Sequence, residues 1–237
     1  MPLALSIVGV GTLLVLGLGR LAALAPLPLS GVGFLDTQAT YQALLFGVAA
    51  LVLLVLHVAC KPKLARFLGV GTISAPARRV GWLGVAEGES WLGLGLRMSV
   101  IVTLVTCAFI YLHLRSALGE SVRVVALLPW ILLFSLTNSF SEEVIYRLGV
   151  VVPLAGSADP ARILALSAIG FGLPHWGGMP SGAVGVLMAG FLGWLLAKSV
   201  LETGGIFWAW LIHFLQDVVI FSAFVMAAPV RAGAGTG

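Results

Sequence analysis

Two adjacent glutamates, Glu142 and Glu143, lie in one of the most apolar stretches of a chain that is 60% hydrophobic and only 9% charged. An ionisable side chain near the centre of a bilayer costs at least about 2.5–3.5 kcal/mol on insertion scales. A pair of carboxylates placed there needs polar partners, and such a pair indicates a functional site. Any fold of this chain must therefore enclose the two glutamates.

The length of apolar runs predicts an all-α, polytopic membrane protein. The chain has 237 residues and 30 glycines, with a mean hydropathy of +1.11. Runs of about 20 apolar residues cross a bilayer as helices, because lipid offers backbone polar groups no other partner. We expect one membrane domain over 1–237 with about seven transmembrane helices, or alternatively eight. The windows are 3–24, 39–60, 97–114, 124–153, 161–176, 182–201 and 205–227.

The distribution of basic residues indicates topology rather than nucleic-acid binding, although the net charge is +4. Basic residues cluster between the apolar runs, and the loop 61–96 is the densest positive segment. The positive-inside rule predicts that this loop is cytoplasmic. We therefore expect a multi-pass protein of the cell (inner) membrane, with N-terminal spans in 1–123, a core in 124–227 and a flexible tail in 228–237.

The glutamate pair divides into two roles on a helix. Glu143 and Arg147 are four residues apart and can form an ion pair, whereas Glu142 points about 100° away. Glu142 is then free for a different task. The alternative, which this segment alone leaves open, is that both acids only balance the charge of Arg147.

Two further polar patches share the predicted depth of the glutamates. Phe171 and His175 are four residues apart near the end of the fifth span, and His213 and Asp217 are four apart within the last span. At 1.5 Å per residue, all three patches lie roughly 12–20 Å from the predicted cytoplasmic ends. Groups at one level favour a single polar cavity over scattered structural polarity.

This combination of groups favours hydrolysis. A carboxylate and a histidine can act as general base and acid on water, and a second histidine with a polar partner can stabilise an oxyanion. G-x-S-x-G and HExxH motifs and a glycine-rich phosphate loop are absent from the sequence. We expect no cofactor; zinc held by His175, His213 and either Glu142 or Asp217 is the alternative.

The ordered motifs resemble a known family. The sequence EEVIYR at 142–147, FGLPH at 171–175 and HFLQD at 213–217 is similar to the pattern EExxxR, FxxxH and HxxxN/D. Intramembrane glutamic proteases of the CPBP family, also called Abi or type II CAAX prenyl endopeptidase-like, carry this pattern on successive membrane helices. The resemblance covers about residues 124–225 and is to a bacterial member.

The resemblance implies a metal-independent endopeptidase that cleaves a membrane-anchored protein or peptide. Glu142, aided by His175, would activate water. His213 and Asp217 would stand at the oxyanion positions, and Glu143 and Arg147 would brace the motif, with Phe171 as a further supporting residue. Asp217 departs from the asparagine of the eukaryotic members, because an ionised carboxylate cannot donate a hydrogen bond. Substrate identity, prenylation and oligomeric state stay open.

Two other functional classes remain alternatives. Buried acid–histidine chains also serve proton relays, so a proton-coupled carrier is one of them. The other is a catalytically silent immunity protein that binds a peptide. Neither alternative involves nucleic acid.

Overall fold

The chain folds as a bundle of α-helices, as the apolar runs predict. The computed structural model describes residues 1–30, 32–115, 122–178 and 181–227, so the predicted flexible tail 228–237 lies outside the described residues. The helices are α1 (Pro2–Leu24), α2 (Gly33–Leu68), α3 (Trp91–Leu114), α4 (Val122–Ala126), α5 (Leu128–Glu143), α6 (Gly149–Leu154), α7 (Pro160–Gly172), α8 (Gly182–Thr203) and α9 (Phe207–Ala227). Two short strands, β1 (Pro76–Ala77) and β2 (Glu89–Ser90), pair antiparallel between α2 and α3.

Among the described residues, five helices are long and apolar enough to cross a membrane, namely α1, α2, α8, α9 and most of α3. Five such helices are typical of a multi-pass membrane protein. The predicted spans 124–153 and 161–176 correspond to segmented helices. The first consists of α4, α5, a π-helical turn and α6, and the second consists of α7 followed by a 3₁₀ turn. The count of seven spans stays a prediction.

Both predicted bounds of the loop 61–96 are wrong. Helix α2 continues to Leu68, because Pro62 kinks the helix at Cys60 (φ −143°, ψ 34°) without ending it. Helix α3 begins at Trp91, where the side chain of Ser90 accepts a hydrogen bond from a backbone amide and caps the helix. The connection is therefore only the hairpin segment 69–90, which contains β1 and β2.

The hairpin segment packs against one end of the bundle. The backbone amide of Ile206 donates to the carbonyl of Gly69 (2.9 Å), and Trp208 Nε1 donates to the carbonyl of Ile73 (2.9 Å). Trp208 is only 2% exposed. These bonds hold the hairpin segment against the start of α9, which closes the bundle at this end.

Helices α7 and α8 cross closely because glycines face the contact. A Cβ atom built on Gly172 would lie 2.7 Å from the carbonyl oxygen of Val186, and one on Gly193 would lie 2.9 Å from that of Ser167. Small residues let membrane helices approach this closely. The crossing positions the end of α7, which carries His175 just beyond it, beside the cavity.

Candidate active site

The helix that carries the glutamate pair changes its winding directly after the pair. Helix α5 ends at Glu143, and the π-helical turn Val144–Leu148 follows before α6 begins. Such turns are rare and frequently occur at functional sites. Here the turn carries Arg147, and every residue of the turn is buried.

The predicted ion pair between Glu143 and Arg147 is confirmed. Arg147 Nη2 lies 3.0 Å from Glu143 Oε1, and both side chains are fully buried. Arg147 Nη1 also donates to Ser167 Oγ (3.3 Å), and its guanidinium lies 4.1 Å from the ring centroid of Phe171. A buried charge is stable only when it is paired in this way.

Glu143 also binds the histidine of the last helix. His213 Nδ1 lies 2.8 Å from Glu143 Oε1, so one carboxylate oxygen joins α9 to the arginine of the π-helical turn. With Nδ1 directed at Glu143, the Nε2 atom of His213 faces two other carboxylates. Glu142 Oε2 lies 3.6 Å from it and Asp217 Oδ1 lies 3.8 Å from it.

Glu142 and Glu143 differ in their access to space. The Glu143 side chain is fully buried, whereas the Glu142 side chain is 13% exposed and lines a cavity. The structure thus separates the adjacent acids as the helical spacing predicts. Glu143 is enclosed with Arg147, and Glu142 is open to a ligand.

His175 lies in a 3₁₀ turn, Leu173–Gly177, that follows α7 and contains Pro174. Its Nδ1 donates to the carbonyl of Phe171 (2.7 Å). Because a carbonyl only accepts, this bond assigns the Nδ1 proton and leaves Nε2 free to accept one. The Phe171 ring contacts both histidines, with centroids 4.7 Å from His175 and 5.5 Å from His213.

Two amide side chains that the sequence reasoning did not single out complete the polar group. Asn138 Nδ2 donates to Asp217 Oδ2 (3.1 Å), and Gln42 Nε2 donates to Asn138 Oδ1 (3.1 Å). Asn138 stands four residues before Glu142, so a helical spacing on α5 could have revealed it. Gln42 comes from a span 96 positions away, and its sequence context carries no such signal.

A cavity of about 950 Å³ gives access to these groups. Its lining includes Asn138, Glu142, His175, His213 and Asp217, together with apolar side chains from α3, α8 and α9. The other lining positions lie near the end of α1, the start of α2, the end of α3, the start of α8 and the end of α9. These helix ends meet at the side opposite the hairpin segment, so the cavity extends toward that side.

The alternative zinc set is not assembled as a metal site. Within residues 1–30, 32–115, 122–178 and 181–227, no three His, Cys, Asp or Glu side chains are arranged to hold a metal ion. The residues of this alternative line the cavity, with Glu142 Oε2 at 3.6 Å and Asp217 Oδ1 at 3.8 Å from His213 Nε2. Metal independence stays a prediction.

The comparison with known families finds a match over the segment that carries most of this cluster. Residues 124–219 match the family model described as type II CAAX prenyl endopeptidase Rce1-like. This segment is similar to the Rce1-like family. It contains all seven predicted site residues, and the Rce1-like family is one of endopeptidases, enzymes that hydrolyse peptide bonds. No curated protein and no solved structure matches the chain.

Proposed function

We propose that the protein is an intramembrane endopeptidase that hydrolyses a peptide bond of a membrane-associated protein or peptide. One observation carries this proposal. Glu142 lines a cavity within 3.6 Å of His213 Nε2, while its neighbour Glu143 is fully buried against Arg147. A carboxylate that is kept available beside a histidine suits the activation of water.

In the proposed reaction, Glu142 accepts a proton from a water molecule, and the water oxygen bonds to the carbonyl carbon of the substrate. The carbonyl oxygen becomes an oxyanion. The C–N bond then breaks, the amine leaves with the proton that Glu142 carries, and the products are a carboxylic acid and an amine. His175, whose Nε2 is free to accept a proton, assists Glu142 in removing the proton from the water molecule.

His213 supports the oxyanion side of this reaction. Its Nδ1 is held by Glu143, which points Nε2 at the cavity. A doubly protonated His213 would donate its Nε2–H to the oxyanion, while its Nδ1–H stays on the Glu143 carboxylate. Preorganised donors of this kind are among the largest contributions to hydrolysis of acyl groups.

The position of the cavity suggests how substrate reaches Glu142. The hairpin segment and the adjacent end of α2 carry Lys61, Lys63, Arg66, Arg78 and Arg79, and we propose that this face is cytoplasmic. The lining of the cavity extends toward the opposite end of the bundle, and we infer that the cavity opens there. Its substrate would therefore be a segment that enters from the non-cytoplasmic side, in the cell (inner) membrane.

A comparison of membrane-protein termini in living cells tests the proposed function. Cells that carry the wild type, Glu142→Gln or the control Glu87→Gln are compared by mass spectrometry of peptide ends. Glu87 is an exposed acid of the hairpin segment. We expect at least one membrane peptide to be shortened with the wild type and Glu87→Gln only. Identical termini in all three cell lines would contradict the proposal.

A further inference from the structure

Asn138 lies on the cavity wall beside the proposed base Glu142. It lies on α5 one turn before Glu142, so both side chains face the same direction, and both line the cavity. Asp217 lies in contact with Asn138 on one side and near His213 on the other. The amide is thus part of the wall that surrounds the reacting groups.

The orientation of the Asn138 amide follows from its partners. Its oxygen accepts from Gln42 Nε2 (3.1 Å). Because an ionised Asp217 can only accept, the nitrogen of Asn138 must face it. The amide therefore presents its N–H₂ group to Asp217, whose other carboxylate oxygen faces His213.

One hydrogen of that N–H₂ group is left for a ligand. An amide nitrogen has two hydrogens, and in the part of the chain that the structure describes Asn138 Nδ2 has a single acceptor, Asp217. Gln216, the neighbouring amide on the cavity wall, differs. Its Nε2 donates to Thr103 Oγ1 and to the carbonyl of Ile212 (both 3.1 Å), so both hydrogens are used.

We propose that Asn138 donates a hydrogen bond to the oxyanion, together with His213, and that Asp217 orients Asn138 rather than donating itself. This inference rests on the proposed peptidase function. An ionised aspartate cannot stabilise an oxyanion, but it can hold a neighbouring amide in place. The donor that HFLQD lacks at its last position is supplied by α5. Loss of one oxyanion donor typically lowers kcat by about 10²–10³-fold.

The test uses purified full-length protein in liposomes and a membrane peptide that the wild type cleaves. Asn138→Ala and Asn138→Asp both remove the donor, and the exchanged pair Asn138→Asp with Asp217→Asn restores one amide beside one carboxylate. Ser139→Ala is the matched control, because Ser139 is buried on α5 outside the cavity wall and donates to the carbonyl of Ser135. Thermal unfolding of each variant shows that it is folded.

We expect both single variants to lose about 100-fold or more in kcat with little change in KM. The exchanged pair should regain at least about tenfold over Asn138→Asp, and Ser139→Ala should match the wild type. Wild-type kcat in folded Asn138→Ala, or a loss in KM alone, would overturn the inference. If Glu142→Gln cleaves as fast as the wild type, the proposed function itself fails, which is a distinct result.

Discussion

Glu143 Oε1 lies 2.8 Å from His213 Nδ1 and 3.0 Å from Arg147 Nη2, so one buried oxygen connects a histidine of the last helix with an arginine of the π-helical turn. The acid next to the proposed base thus holds the site together and takes no part in the cavity wall. The ion pair of Glu143 with Arg147 contributes to stability. The contact of Glu143 with His213 fixes the position of the imidazole.

Removal of Arg147 alone should strongly destabilise the fold. Arg147→Ala deprives the buried Glu143 carboxylate of its guanidinium partner, and breaking such a pair costs about 3–5 kcal/mol. The double variant Glu143→Leu/Arg147→Met removes both charges, and its free energy of unfolding should fall clearly less than that of Arg147→Ala. Unfolding by a denaturing detergent measures the difference.

Measurement of peptide cleavage by the same two variants distinguishes the two roles of Glu143, which are to pair with Arg147 and to hold His213. The double variant should be folded but inactive, because His213 has lost the carboxylate that holds Nδ1. Equal destabilisation in the single and the double variant would show that the ion pair is not the reason for the loss. Cleavage at the wild-type rate by the double variant would show that His213 needs no such partner.

The crossing of α7 and α8 should tolerate no side chain at Gly172. A Cβ there would lie 2.7 Å from the carbonyl oxygen of Val186 and 3.1 Å from Gly190 Cα. We expect Gly172→Ala to lower the free energy of unfolding by about 1–3 kcal/mol, as overpacking does. Gly17→Ala, an exposed helical position with nothing within 4 Å of the added Cβ, should unfold like the wild type. Equal stability of both variants would refute the close crossing.

A bulky residue in the cavity should exclude substrate. Val105 and Val100 both lie on α3 and are 50% and 58% exposed, but only Val105 is among the residues that line the cavity. We expect Val105→Trp to reduce kcat/KM by about tenfold or more, since each 1.4 kcal/mol of lost binding is tenfold. Val100→Trp should cleave like the wild type. Equal kinetics of the two variants would show that substrate does not use this cavity.

Cysteine labelling should place the cavity opening on the outside of the cell. In a background with Cys60→Ser and Cys107→Ser, an impermeant maleimide should label Leu29→Cys in intact cells, because this residue is exposed between α1 and α2 at the open end. Ala86→Cys, exposed in the hairpin segment, should react only after permeabilisation. The reverse pattern would contradict the proposed orientation without touching the proposed chemistry.

Residues related by helical spacing could be predicted from the sequence. The pairing of Glu143 with Arg147 and the shared face of Phe171 and His175 follow from a separation of four positions. The helical class of the fold follows from apolar runs alone. Both signals come from residues close together in the sequence. In lipid, an apolar segment has few alternatives to a helix.

What the sequence could not show depends on winding and on distant contacts. The π-helical turn after Glu143 carries no recognised residue pattern, and it divides a span that hydropathy treats as continuous. The continuation of α2 through Pro62 likewise overrides a local helix breaker. Gln42 and Asn138 are 96 positions apart, so only the folded bundle reveals that Gln42 bonds to Asn138 and Asn138 to Asp217.

The most direct test of the central claim is the cleavage of a membrane peptide by purified protein in liposomes, with and without a metal chelator. We expect the wild type to cleave in both conditions. Glu142→Gln, whose amide cannot accept a proton from water, should be folded, should bind the peptide and should lose cleavage by at least about 10³-fold. A folded Glu142→Gln that cleaves at the wild-type rate would contradict the account.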